Sequence, residues 1–250
     1  MEASAYGREA QAEASHWWFV GRRKLLAAEI ARSGIPLSAR VLDVGTSTGT
    51  NFRMLRDLGF TCVRGIDYSE DAIRFCASKG FGPVVRGDVR SMPFRDSSFE
   101  LVIASDIIEH VEDDASALRE IARVLAPRGK ALITVPAFEA LWGLQDDVSH
   151  HVRRYRRSEL VGLIGRVGLQ SRRSYYFNYL LFGPIWLARQ IIRLCGVKLD
   201  SENQINTAVL NRLLHFVFSA DVATAFRISP PFGVSILAVA EHVTKEPPTS

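Results

Sequence analysis

Arg40-Val41-Leu42-Asp43-Val44-Gly45-Thr46-Ser47-Thr48-Gly49-Thr50-Asn51 is the stretch that decides how this chain folds. Val41, Leu42 and Val44 form an apolar run of strand character that stops at a glycine-bearing turn. Phe52, Leu55 and Leu58 then recur three apart, as on one face of a helix. A turn between a strand and a helix start exposes backbone N–H groups, and glycine admits a ligand or a neighbouring helix that a Cβ would exclude. Polar or anionic ligand groups belong there. Cys62-Val63-Arg64-Gly65-Ile66-Asp67 reads as a second strand ending in an acid. Asp67 lies 22 residues beyond Gly45, the spacing at which a carboxylate reaches a ribose hydroxyl pair.

Three ligand classes compete for the turn. A phosphate-cradling loop needs Gly-Lys-Ser/Thr, and no Lys follows Gly49. The dinucleotide pattern G-x-G-x-x-G needs glycines where the chain has Gly45, Ser47 and Thr50, so a nicotinamide-dependent reductase is set aside. The run D-V-G-T-S-T-G resembles instead the first motif of class I S-adenosylmethionine-dependent methyltransferases, D/E-x-G-x-G-x-G, with Ser47 at the middle glycine.

Downstream blocks extend the resemblance in order. Pro83 to Val89 reads as a third strand that brings Asp88 to the rim of Gly45 and Asp67, and Met92-Pro93-Phe94 follows. Phe99 to Val111 is similar to the family's F-D-x-V…E-H-V run, with Glu100 in place of Asp. Arg123-Val124-Leu125-Ala126-Pro127-Arg128-Gly129 leads into a fifth strand, Lys130 to Pro136. The H-W-W-F-x-x-R-R run of residues 16–23 and the D-x-x-x-x-H-x-R-R-Y run of residues 146–155 are similar to one bacterial small-molecule or glycolipid branch.

Membership implies an α/β, Rossmann-like, doubly wound sheet of seven strands, in the order 3-2-1-4-5-7-6 with the last strand antiparallel. The chain then divides into a helical cap over 1–36, a cofactor-binding core with a substrate loop over 37–178, a helical insertion over 179–230, and a last strand and tail over 231–250. The implied cofactor is S-adenosylmethionine. Gly45, Thr46, Ser47 and Gly49, with Asp43, would admit its methionine part; Asp67 and Tyr68 would hold ribose and adenine; Asp88 and Val89 would read the adenine edge. Ser105 completes the rim, and Arg22 or Arg23 of the cap would meet the cofactor carboxylate while the aromatic helix closes over it.

The implied activity is methyl transfer to an oxygen, nitrogen or carboxylate of a small-molecule, sugar or glycolipid acceptor. Asp146 and His151 stand five apart in the Arg-rich loop, so His151 is the first candidate base, Asp146 its orienting partner and His110 the second imidazole. Arg153, Arg154, Arg156 and Arg157 could engage a phosphate or carboxylate of the acceptor. A non-catalytic scaffold with the same fold is the alternative, since fold does not establish activity.

Composition bounds the rest. A chain of 250 residues, 47% hydrophobic, builds one substantial core with additions. Cys62, Cys76 and Cys195 show no metal spacing and read as buried free thiols of a reducing compartment; no metal site is expected. No basic and apolar leader opens the chain, which points to a cytoplasmic location. A net charge of +4 is modest, and Tyr155 alone interrupts the Arg run, so a nucleic-acid acceptor is disfavoured. Residues 174–188 carry no formal charge, but 15 residues with Gly183-Pro184 inside them fall short of a bilayer span. No transmembrane span is expected. Phe182 and Trp186 near Arg189 and Arg193, and the apolar Leu210 to Phe218, point to helices that cover the substrate cleft, form a homodimer face or lie on a membrane surface.

Overall fold

The computed structural model describes residues 3–195 and 207–243. Seven strands form one sheet in the order β3-β2-β1-β4-β5-β7-β6. They are β1 (Arg40–Val44), β2 (Cys62–Asp67), β3 (Val84–Arg86), β4 (Phe99–Ser105), β5 (Leu125–Pro136), β6 (Leu169–Phe177) and β7 (Ser235–His242). β1 pairs in parallel with both β2 and β4, and β7 lies antiparallel between β5 and β6. The expected order and the antiparallel last strand are both present.

Helices on both faces explain why the central strands are apolar throughout rather than alternating. On one face lie α5 (Asp114–Val124) and α7 (Arg157–Arg166), whose Leu118, Ile121, Leu160, Leu163 and Ile164 join Leu42, Val102 and Ile133 in a single cluster. On the other lie α2 (Trp17–Ser33), α3 (Thr50–Asp57) and α9 (Ala208–Ile228), packed on Val41, Leu101, Ile103 and Leu132. The strand order reverses between β1 and β4, so the loops after these strands diverge and leave a crevice.

Several local expectations are corrected. Residues 3–15, within the expected helical cap, form the helix α1 (Ala3–Ser15) separate from α2, and His16 caps α2 by accepting the Trp18 N–H on Nδ1. β5 begins at Leu125, ahead of the Pro-Arg-Gly expected to precede it. α7 begins at Arg157, inside the Arg run expected to face the acceptor, because Glu159 accepts the N–H of Arg156 and fixes the cap there. Cys62 is exposed, contrary to the expectation of buried thiols, and only Cys76 of the two described is buried. Cys195's side chain and the tail beyond 243 lie outside the described residues.

The insertion consists of α8 (Phe182–Cys195) and α9, with the segment between them outside the described residues. α8 lies against the loop after β5, where Phe182 meets Phe138 edge-on at 5.9 Å and Arg189 donates to the Leu141 carbonyl. α9 is the one described helix long and apolar enough to cross a membrane by length and composition. Its inner face is nonetheless built into the domain. Phe218 is fully buried, and the buried Asp221 carboxylate accepts the N–H groups of Asn178, Tyr179 and Leu180 at 2.7, 2.6 and 3.0 Å.

Candidate functional site

A cavity of about 500 Å³ opens where β1, β2 and β3 end and β4 exits. Gly45, Ser47, Asp67, Tyr68, Asp88, Val89 and His110 line it, as do Ile107, Val111, Glu112 and Arg90, which carried no expectation. Gly45 has φ +72, which strains any side-chain-bearing residue, and a Cβ there would stand 1.9 Å from Ile107 Cδ1 and force that side chain to move. Ser47, at the position where the family motif has glycine, keeps the left-handed conformation with φ 45. Its N–H reaches Asp67 Oδ2 at 2.8 Å, and Ser69 N–H reaches Oδ1 at 2.8 Å. Two backbone donors thus pin the Asp67 carboxylate at the cavity wall. Asp88 is held at the edge by Arg90, and that charge-assisted pairing pulls its pKa below the ordinary carboxylate range.

Asp43, Thr46, Gly49 and Ser105 lie outside the cavity wall. Thr46 Oγ1 points inward to the Asp43 carbonyl at 3.2 Å. Asp43 is fully buried; Asn51 Nδ2 donates to its Oδ1 at 2.8 Å while Oδ2 has no hydrogen-bond partner. Burial pushes this carboxyl up to about 7, the nearby Asp67 charge adds to the rise, and the Asn51 hydrogen bond opposes it. Ser105 Oγ meets Thr134 Oγ1 at 3.0 Å, Thr134 donates to Asp106 at 3.0 Å, and Asp106 is ion-paired with Arg22. Arg22 is therefore committed to the half-buried Asp106 carboxylate of its own chain instead of facing the cavity.

The cap also differs from expectation. Trp18 stacks on Phe177 and Phe218 at 5.8 and 5.3 Å, and Trp17 meets Phe218 edge-on at 5.4 Å. These aromatics fill the core under α9, because their area is worth most when removed from water against other rings. What covers the glycine turn is α1: the buried Glu13 carboxylate accepts both Thr48 and Thr50 hydroxyls. A lone Glu in a polar helix carries no signal that would have singled it out.

His151 and Asp146 come together as their spacing suggested, with Nδ1···Oδ1 at 2.8 Å. Asp146 is fully buried in the short α6 (Leu144–Val148), where it also accepts Arg154 Nε at 2.8 Å, Arg154 Nη2 at 3.0 Å and Gly143 N–H at 2.8 Å. Burial alone would raise this carboxyl, but the His151 hydrogen bond and the Arg154 charge outweigh it and hold the pKa at about 2. His110 packs edge-on against His151 with ring centroids 4.7 Å apart. Burial, followed by the neighbouring His151, pushes His110 below the usual imidazole range. Glu109, quoted in the E-H-V block without a role, lies beneath both rings, and burial with the Asp106 charge raises its carboxyl well above the ordinary range.

The four-Arg anion patch is not assembled as expected. Arg153 pairs with Asp114 at 3.0 Å, and Arg154 is buried on Asp146 and the Ala137 carbonyl. Both charges are consumed in fixing the loop. Arg157 lies over the Tyr176 ring, and Arg156 is exposed.

A family model described as a methyltransferase domain matches residues 42–133, the span from β1 through β5. The chain is 31% identical over 126 residues to the tRNA (carboxymethyluridine(34)-5-O)-methyltransferase alkbh8 of Xenopus tropicalis, covering 49% of this chain and 18% of that protein. It spans 18% to 52% of the length of the first curated relatives it matches. Among solved structures, the methyltransferase bound to the Trm112 activator of Haloferax volcanii superposes with a TM-score of 0.64 at 20% identity, covering 98% of this chain and 96% of that one. A SAM-dependent methyltransferase of Thermotoga maritima gives 0.58 at 17% identity, with 95% and 94% covered. The fold is the one shared with S-adenosylmethionine-dependent methyltransferases of known structure, and S-adenosylmethionine is the cofactor of such a methyltransferase domain. The cavity fits that group. Gly45 leaves a cradle a Cβ would fill, a pinned carboxylate stands at the sugar's expected place, and Tyr68, Ile107 and Val89 offer apolar walls.

Proposed function

We propose that this methyltransferase moves the methyl group of S-adenosylmethionine to an oxygen or nitrogen of a small-molecule, sugar or glycolipid acceptor, with His151 as the base. One observation carries the reading: Asp146 fixes His151 through Nδ1 at 2.8 Å, while the imidazole packs against His110, which itself lines the cofactor cavity. A carboxylate on Nδ1 sets the tautomer and leaves Nε2 able to accept a proton.

The bound cofactor supplies a methyl group on a sulfonium, already activated for transfer. The chain's part is to position and to take a proton. Asp67 and the Gly45 turn hold the nucleoside and methionine ends, Arg22 with Asp106 keeps the rim rigid, and His151 removes the acceptor's proton as the new bond forms. In-line alignment supplies on the order of 7–11 kcal/mol and a positioned base roughly 10²–10⁴-fold. His151→Ala should lose activity by that second factor while binding S-adenosylhomocysteine as tightly as wild type. Equal turnover in the variant removes the base from the reading, and cofactor binding without transfer to any acceptor puts the scaffold alternative first.

Two exposed stripes support an acceptor with a lipid tail and a peripheral membrane location. Leu187, Ile191 and Leu194 follow one another on α8, and Val209, Leu213 and Phe216 on α9, each at helical spacing and each exposed. Replacing the three α9 residues with Ser should abolish binding to anionic vesicles; unchanged binding assigns those stripes to a protein face instead.

A further inference from the structure

Beneath the two imidazoles lies a carboxylate whose burial the methyl-transfer reading leaves unexplained. Glu109 has no exposed surface, and neither of its side-chain oxygens has a hydrogen-bond partner among the described residues. A buried polar group without a partner is strongly destabilising, and an isolated buried charge more so. His151 Nε2 is 4.0 Å from Glu109 Oε1, and the charges of Arg22 and Arg154 act on the carboxyl without a hydrogen bond to it. One donor atom each from Glu109, His110 and His151 lie within 4.8 Å of one another.

We propose that Glu109, His110 and His151 form a binding site for one divalent transition-metal cation, with Zn²⁺ the best match. Two imidazoles and one carboxylate are a borderline-soft set that suits zinc and its neighbours and disfavours magnesium and calcium, which prefer oxygen donors throughout. On a tetrahedral zinc the donors stand about 3.4 Å apart, so side-chain rotations of less than an ångström or so close the site. The surroundings already have the form such sites take. Asp146 accepts from Nδ1 of His151, the carboxylate–imidazole arrangement that orients a metal-bound histidine, and Arg154 and Gly143 in turn fix Asp146. The backbone closes it: His151 N–H donates to the Asp146 carbonyl at 2.9 Å and Val152 N–H to the Glu109 carbonyl at 2.8 Å.

Three protein donors leave a coordination position open, the mark of a reactive rather than a structural site. His110 lines the cofactor cavity, so an acceptor held on the cation would lie beside the methyl donor. The inference rests on the acceptor entering at this rim, and it changes how the acceptor is activated. A hydroxyl on the cation loses its proton to solvent at a lowered pKa. Its oxygen forms the new bond to the methyl carbon while the carbon–sulfur bond breaks and leaves its electron pair on sulfur. His151 then serves as a ligand, and the cation replaces it as the activating group.

The test uses the full chain stripped with a chelator and titrated with Zn²⁺ in competition with a chromophoric zinc chelator, with thermal unfolding followed alongside. One equivalent should bind and raise the wild-type Tm. Glu109→Gln and His110→Ala should each weaken binding by at least about 100-fold and remove the Tm shift, and Asp146→Asn should weaken it by about 10–100-fold. Thermal unfolding of the metal-free proteins confirms that each variant is folded, so the His110→Ala result reports on ligation. No stoichiometric binding to wild type, or binding equal in wild type and His110→Ala, overturns the metal site. In either case the base reading stands and is judged by His151→Ala alone.

Discussion

Asp43 makes stability fall as pH rises, and Asp43→Asn removes that dependence. The folded carboxyl holds its proton up to about 7, whereas the ordinary value is 3.8. Burial is the main cause: the side chain has no exposed surface, and Oδ2 has no donor to stabilise a charge. A group that binds its proton more tightly when folded contributes stability that is complete below the unfolded pKa and is lost as pH rises through the folded one. The window here therefore runs from about 4 to about 7, and the gap corresponds to about 4 kcal/mol in all, of which about 2.5 kcal/mol falls between about pH 5 and about pH 8. Asparagine keeps the shape, carries no charge and can offer its amide to the unpaired Asn51 Oδ1. Urea unfolding of both proteins at the two pH values measures the effect. Glu109 and Asp221 are raised in the same direction, so only the difference between variant and wild type counts. The variant should lose about 2.5 kcal/mol less than wild type between those pH values. Parallel losses in both proteins would refute a protonated Asp43 under the turn.

Ser47→Gly should raise stability by about 0.5–1 kcal/mol in thermal unfolding, because φ 45 strains serine by more than the entropy glycine forfeits; a loss above about 1 kcal/mol would refute the strain. Gly45→Ala meets both a left-handed φ of +72 and a contact of 1.9 Å to Ile107, so it should cost about 2–4 kcal/mol and sharply weaken S-adenosylhomocysteine binding by calorimetry; near wild-type affinity would place the cofactor elsewhere. Asp146→Asn leaves the buried Arg154 guanidinium without its carboxylate and should cost about 3–5 kcal/mol in urea unfolding, with methyl transfer falling as well; an unchanged midpoint would show that Arg154 finds water or another acceptor.

The sheet was legible because its causes are local and periodic. Apolar runs ending at Gly45, Asp67 and Asp88 mark strands whose ends share a rim, and a motif in which a Cβ cannot be tolerated is written directly as glycine. His151 and Asp146 could be paired in advance because one short loop carries both. Residues that act across long sequence separations gave no such sign. Arg22 finds Asp106 across the fold, Glu13 closes on Thr48 and Thr50, and Arg153 and Arg154 spend their charge on Asp114 and Asp146. Each of these pairings depends on which polar groups burial brings together and must satisfy, a condition that exists only once the chain has packed. The sequence by itself thus determined the strands, the nucleotide-side turn and the candidate acid–base pair, while the sheet order came from the family resemblance. Only the tertiary structure decided that the tryptophans serve the core, that α1 covers the turn, and that Glu109 lies unpaired beneath two imidazoles, because desolvation is a property of the packed surroundings and not of any one residue.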